Sequence, residues 1–225
     1  MAPAFTRPMT AQEAVLGELR RRLVGGMLRP GDQIRQDALA EELGVSRVPV
    51  REAMRILEGE GQIAYTPHRG YFVAELDVEE LAEIYRLRDI LETEAVRVGF
   101  HALTEADTER MAQSMDEMRE AAVADNIAAL TVSNRTFHFT LFASSGMNRL
   151  LRILAQLWDS SDPYRSMYFS NPEHLRIMEA EHEAIWKAVV ARDEKLLLRL
   201  LEEHRAHAVP ALRKVLVASS GVDRT

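Results

Sequence analysis

The stretch Leu39-Ala40-Glu41-Glu42-Leu43-Gly44-Val45-Ser46-Arg47-Val48-Pro49-Val50-Arg51-Glu52-Ala53-Met54-Arg55-Ile56-Leu57 reads as two short helices joined by a sharp turn. Leu39, Ala40 and Leu43 give the first helix, over 36–43, its buried face. Gly44 ends it, because glycine enters the left-handed region without a Cβ clash. Ser46 stands at the N-cap of the second helix, over 47–60. Pro49 sits in its first turn, where a missing N–H costs nothing. Val50, Ala53, Met54 and Leu57 recur at helical spacing and face inward, while Arg47, Arg51 and Arg55 form a stripe on the other side.

Outward from this core, the pattern continues in both directions. Upstream, Thr10 and Glu13 form a capping box for a helix over 11–27, with Val15, Leu16, Leu19, Leu23 and Val24 at helical spacing. Gly25, Gly26, Pro30 and Gly31 break it. Downstream lie two extended runs, 62–66 and 70–74, with Pro67, His68, Arg69 and Gly70 at the turn between them. Three helices followed by a β-hairpin is the winged helix-turn-helix order. A helix that carries guanidinium groups on its first turns can enter the major groove, where arginine pairs bidentately with guanine or contacts phosphate. His68 and Arg69 at the wing tip reach toward the minor groove or backbone. The arginine stripe alone would also suit a solvated face on which Glu52 and Glu58 pair with Arg55; the helix–turn–helix–wing context favours DNA.

Pro30-Gly31-Asp32, the 39–47 run, Pro49-Val50-Arg51-Glu52-Ala53 with Leu57, and Arg69-Gly70-Tyr71-Phe72-Val73 resemble the winged helix of GntR-family regulators over about a third of the chain. The resemblance implies operator contacts from Arg47 and Arg51, with His68, Arg69 and Gly70 contributing from the wing. The full set of candidate DNA-binding residues is Arg47, Val48, Pro49, Arg51, Arg55, His68, Arg69 and Gly70. Asp37 stands where some members place a DNA-contacting arginine, so that contact is not expected here.

From Asp77 onward the pattern is helical, with spans expected at 78–102, 104–124, 126–144, 148–169, 173–191 and 194–218. Thr104, Asp125, Asn148 and Asp193 occupy N-cap positions, and Pro163 and Pro210 should kink or split two of the helices. The expected fold is therefore mainly α. A winged helix-turn-helix of three helices and a hairpin wing (1–75) precedes an all-α antiparallel bundle (76–225), with the boundary near 75–77.

Composition agrees. The chain has 225 residues, 47% hydrophobic and 28% charged, enough for buried cores in two domains. It has no cysteine, which excludes disulfides, thiolate metal sites and cysteine nucleophiles. No signal-peptide pattern and no run of about 18 apolar residues is present, so a soluble cytoplasmic protein with no membrane partner is expected. The net charge is −7, unevenly spread. Residues 1–74 carry ten arginines against nine acids (+1), and 75–225 carry eighteen bases against twenty-six acids (−8). The acidity belongs to the second domain.

Asn134 and His138 share a helix face, and His182 and His204 are equidistant from the turn at Arg192-Asp193, so an antiparallel hairpin sets them at one height. Three imidazoles plus an oxygen ligand suit a divalent metal: zinc first, with nickel or manganese as alternatives. Isolated polar or core histidines would give the same spacing. Leu87-Arg88 with Leu91-Glu92, Phe137-His138, Glu181-His182 with Ile185, and Glu203-His204 resemble the FCD effector-binding domain of the FadR subfamily. That resemblance implies that Asn134, His138, His182 and His204 hold the ion, with asparagine a weaker ligand than aspartate.

Arg88 is the first candidate for binding a small carboxylate effector, and Arg135 and Arg165 are further ones. Arg88 could instead form a solvated i,i+4 pair with Glu92. His207 could replace His204, His101 and His174 read as surface or loop, and Met115, Met118, Trp158 and Trp186 as core. The expected function is a ligand-responsive regulator, a repressor, reading an inverted-repeat operator as a homodimer. A metal-dependent hydrolase is the alternative, with Glu181 or Glu203 as base. It lacks the H-E-x-x-H pattern, because Trp186 stands where the second histidine belongs. A dimerisation module with an empty pocket is the third reading.

Overall fold

The computed structural model describes residues 9–75 and 78–220. The expected domain boundary at 75–77 lies partly outside the described residues. Helix α1 (Ala11–Val24) begins at the Thr10–Glu13 capping box and ends three residues before the expected Met27, where Gly25 takes up the chain. Helices α2 (Gln36–Glu42) and α3 (Arg47–Gly59) follow, separated by Gly44 at φ +65°. Val50, Ala53, Met54 and Leu57 are fully buried and pack with Val15, Leu19 and Leu23 of α1. At roughly 1.5–3 kcal/mol per large apolar side chain, this shared core holds α3 rigidly with its arginines outward.

The wing pairs β2 (Ile63–Thr66) with β3 (Gly70–Val73) antiparallel, Tyr65 opposite Tyr71. A further strand, β1 (Gln33–Ile34), pairs with the other side of β3 and gives the order β1-β3-β2. Two residues are too short to show a period-2 pattern, so this strand is not legible before its pairing with β3 is known.

Behind the wing come α4 (Val78–Gly99), a 3-10 turn at Phe100–Ala102, α5 (Glu105–Val123), α6 (Ile127–Ala143), α7 (Asn148–Phe169), α8 (Pro172–Val190) and α9 (Glu194–Ser220). The α5–α6 and α8–α9 pairs are antiparallel hairpins, and α4 runs through the centre against α6, α7 and α9. Thr104 caps α5 in a full capping box, and the Asp193 carboxylate accepts from the Leu196 amide at the start of α9.

Three expectations need correction. Asn126, not Asp125, caps α6, because Asp125 is in the left-handed region (φ +51°) and turns the chain before the helix. Asn148 is the first residue inside α7, so Met147 flanks it. Pro163 and Pro210 split neither α7 nor α9, because buried side chains before and after each proline (Trp158 and Tyr164, Leu201 and Leu212) anchor the helix across the missing backbone donor. Ser46 keeps the N-cap position of α3, but its side chain makes no cap hydrogen bond.

The two domains touch through α1, which packs on α6 and α7. A Cβ on Gly25 would lie 3.4 Å from the Ala128 Cβ, and one on Gly61 would lie 3.9 Å from the Ser160 Oγ. The turn after α3 therefore rests on α7.

Candidate functional site

On the DNA-reading face, Arg47, Val48, Arg51 and Arg55 are exposed. Pro49 is half-buried in the first turn of α3. Arg47 is tied down: its Nε lies 2.8 Å from the Asp37 Oδ1 on α2, both side chains well exposed. Arg51 has no ion-pair partner among the described residues. At the wing tip His68 has φ +64° and Gly70 φ +92°, a tight turn closed by the Arg69 amide donating to the Thr66 carbonyl at 3.0 Å. Gln33 braces that tip, its Nε2 donating to the Arg69 carbonyl at 2.6 Å. Strand β1 thereby connects the start of α2 to the wing.

The second site is a small cavity of about 40 Å³ inside the bundle. Asn134 and His138 from α6, Arg88 from α4, Trp158 and Arg165 from α7, and His204 and Arg205 from α9 all line it. His182 of α8 completes a cluster with His138 and His204 in which one ligand atom from each lies within 4.8 Å of the others. The His138 and His182 Nε2 atoms are 3.0 Å apart. His182 Nδ1–H donates to the Met178 carbonyl at 2.8 Å, which fixes the tautomer and leaves the Nε2 lone pair facing the cluster. Glu181 accepts from Nδ1 of both His204 and His207 at 2.5 Å, so His204 Nε2 is likewise left free. These hydrogen bonds are of the kind that orient histidines toward a metal. In a tetrahedral site with metal–nitrogen bonds of about 2.0–2.1 Å the nitrogens stand roughly 3.4 Å apart, close to the 3.0 Å between the His138 and His182 Nε2 atoms. The donor set fits a divalent ion. His207 supports His204 through Glu181 rather than replacing it.

Burial, then the neighbouring imidazoles, holds His138 well below the usual histidine range; burial and His204 do the same to His182. Both stay neutral at physiological pH, as ligation requires. Because their folded values lie below the unfolded one, the unfolded chain binds more protons as pH falls, and stability drops. Metal-free protein is expected to lose up to about 1.4 kcal/mol per histidine for each pH unit below about 6.5. Urea midpoints at pH 7.5 and 5.5 check this; a midpoint unchanged by pH would contradict it.

Arg88 is not on a solvated face. It is 4% exposed, and its Nε donates to the Glu92 carboxylate at 2.9 Å. Glu92 also accepts from Trp158 Nε1 and from Arg205 Nη1, each at 2.9 Å. Burial opposes its ionisation, but Arg88 and Arg205 outweigh that and hold the carboxyl below its ordinary range. Arg88 and Arg165 stack on the Trp158 ring at 4.2 and 3.9 Å. The Nη1 atoms of both are buried without a hydrogen-bond partner. Burial and the nearby Arg88 charge push the Arg165 guanidinium below its usual range. This cavity therefore has unspent donors and an excess of positive charge.

Arg135 does not line this cavity. It emerges on the far side of α6, where Nη1 pairs with Asp159 and lies 3.3 Å from Asp162 Oδ2. A residue next to Asn134 is rotated by about 100° around the helix, which explains the separation. Sequence reading missed Glu92 and Arg205 as structural members of the site. Their signal was a charge on an apolar stripe: Leu197, Leu201, Arg205, Leu212 on α9, and Leu81, Tyr85, Arg88, Glu92, Ala95 on α4. Met115, Met118 and Trp158 are buried in the core, and Trp186 is partly buried with its indole donating to the Thr108 carbonyl. The imidazole of His101 is exposed; His174 is half-buried and stacks on Tyr168.

Residues 11–73 match the family model for bacterial regulatory proteins of the gntR family, and residues 83–207 match the FCD domain. The HTH-type transcriptional regulator McbR of Escherichia coli K12 is 28% identical over 80% of this chain and 83% of its own length. The Nta operon transcriptional regulator of Aminobacter aminovorans is 31% identical over 66% of this chain and 73% of its own. The gluconate operon transcriptional repressor of Bacillus licheniformis is 27% identical over 83% and 79%. The solved structure of E. coli McbR superposes with a TM-score of 0.82, covering 92% of this chain and 99% of that one at 26% identity. These relatives are transcription regulators, and of the two glutamates a hydrolase could use as base, Glu181 has both oxygens engaged by histidines while Glu203 is exposed beside Arg199. A winged helix with an outward arginine stripe, an FCD bundle behind it, and relatives alike over both halves place the chain in the GntR family of bacterial transcription regulators.

Proposed function

We propose that this regulator is a ligand-responsive repressor working in the cytoplasm. Two copies read an inverted-repeat operator, and each copy binds a small carboxylate beside a divalent metal. The observation that carries this reading is one small cavity faced by His138, His204 and two guanidiniums with unpartnered donors, with His182 closing the imidazole cluster beside it. His138, His182 and His204 would hold the metal, with Asn134 as an oxygen donor. The metal would supply a Lewis-acidic anchor for a carboxylate or hydroxyl oxygen. Arg88 and Arg165 face the same space and would take the carboxylate in a fork geometry. Recognition of DNA falls to the exposed turns of α3 and to the wing, with 1–75 as the reading domain and 76–225 as the sensing domain.

Chelator-stripped protein titrated with Zn²⁺, Ni²⁺ and Mn²⁺ tests the metal. At a hundredfold excess over Kd the gain is about 2.7 kcal/mol, a rise of roughly 5–11 °C in Tm for a chain of this size. His204→Ala is expected to remove that rise. Carboxylates are then added to the loaded protein, starting with gluconate, because a relative is named for a gluconate operon. No shift with any of the three metals would leave a dimerisation module as the better reading.

A further inference from the structure

Helix α7 is the wall between two spaces. Trp158 and Arg165 face the proposed metal and anion cavity; Asp159, Asp162 and Pro163 face a crevice of about 270 Å³ shared with Arg20 and Gln62 of the DNA-reading domain and Arg135 of α6. Asp162 is 4% exposed and stands between two guanidiniums. Its Oδ2 lies 3.3 Å from Arg135 Nη1, and its Oδ1 lies 3.6 Å from Arg165 Nη1. Neither Asp162 Oδ1 nor Arg165 Nη1 has a hydrogen-bond partner. The carboxylate is thus contested by a cation on each side and fully satisfied by neither.

The contest continues outward. Arg135 pairs with Asp159 as well as Asp162. Burial raises the Asp159 carboxyl above its ordinary range against the pull of Arg135, and Arg20, which lines the same crevice, adds a lesser favourable charge. It also donates from Nη2 to Glu60 Oε1 at 2.6 Å, while its Nε is buried with no partner. Glu60 is the C-cap residue of α3 and accepts a second bond from Gln62 Nε2 at 3.0 Å.

We infer that Asp162 is the residue through which occupancy of the cavity reaches the recognition helix, by arginine–carboxylate partner exchanges running from Arg165 through Arg135 and Asp159 to Arg20 and Glu60. The inference rests on the anion-binding reading of the cavity. An anion that engages Arg165 removes one of the two competitors for Asp162, and the carboxylate closes on Arg135. Asp159 then loses part of its counter-charge and draws Arg20 away from Glu60. The end of α3 loosens from α1, and DNA affinity falls. Coupling needs an element with two arrangements that both sites bias; a carboxylate with two alternative arginines is such an element.

The test uses full-length protein and a duplex recovered from a random pool by selection. Arg165→Met removes the cation that an anion would neutralise. It is expected to weaken duplex binding at least fivefold in the parent and less than twofold in an Arg135→Gln background. An equal effect in both backgrounds overturns the inference. Because Arg165 is buried, a second cycle pairs Arg135→Gln with Arg20→Gln, both outside the cavity. There the combined effect is expected to fall short of the product of the single effects by threefold or more, and multiplicative effects overturn the inference. Neither cycle needs a ligand. Failure of gluconate and Zn²⁺ to bind the parent would therefore count against the anion and metal reading alone.

Discussion

Glu92→Ala is expected to destabilise the protein by about 3–5 kcal/mol. The carboxylate is 2% exposed and accepts from three donors on three other positions: Arg88, Trp158 and Arg205. Truncation leaves two buried guanidiniums facing each other with no anion between them, and an indole N–H without its acceptor. Arg205 keeps Asp89, at 2.5 Å, but that carboxylate is half exposed and screened by solvent. For a chain of this size the loss corresponds to a fall of roughly 6–20 °C in Tm. Glu92→Gln keeps the shape and some of the hydrogen bonds, so its cost should be smaller. Calorimetry or thermal melts of both variants decide the matter. A fall of less than about 1 kcal/mol in Glu92→Ala would mean that solvent reaches this cluster and that the burial described for it is wrong.

The second large effect is on DNA. Arg51→Ala should lower affinity for the selected duplex by about 5- to 150-fold per half-site, the worth of one bidentate base contact, and by the square of that factor if two copies bind together. Arg51 is exposed and has no ion-pair partner among the described residues, so nothing in the free protein has to be broken before it reaches a base. Arg47 must first leave Asp37, so its substitution should cost less. The fold should be unaffected, because the Arg51 side chain buries nothing. Anisotropy titrations against the selected and an unrelated duplex separate specific from general loss. Affinity within threefold of the parent would remove Arg51 from the reading surface.

These two positions also mark what sequence can and cannot convey. The α3 stripe was legible because its logic is local: Val50, Ala53, Met54 and Leu57 fix which side is buried, and the arginines occupy what remains. The histidine pair across α8 and α9 was legible for a similar reason, since the turn at Arg192-Asp193 sets its register. Arg88 was only half legible. An arginine four residues from a glutamate has the same spacing on a surface and in a core, and the partners that decide the case, Trp158 and Arg205, lie 66 and 113 residues from Glu92. Arg135 was placed on the wrong side for want of the same long-range information. Strand β1 and the continuity of α7 through Pro163 are tertiary effects, set by the neighbours that pack around them.

The two-faced character of α7 bears on how altered regulators could be selected from libraries. Side chains that would touch a sensed molecule (158 and 165) and those that would pass the message on (159 and 162) are interleaved along the chain, yet diverge around the helix. Randomising the first pair should retune the inducer while keeping the output. Randomising the second should yield genetic switches locked in one state whatever the inducer. A mutational scan of this one helix would then alternate in phenotype with the period of the helix itself.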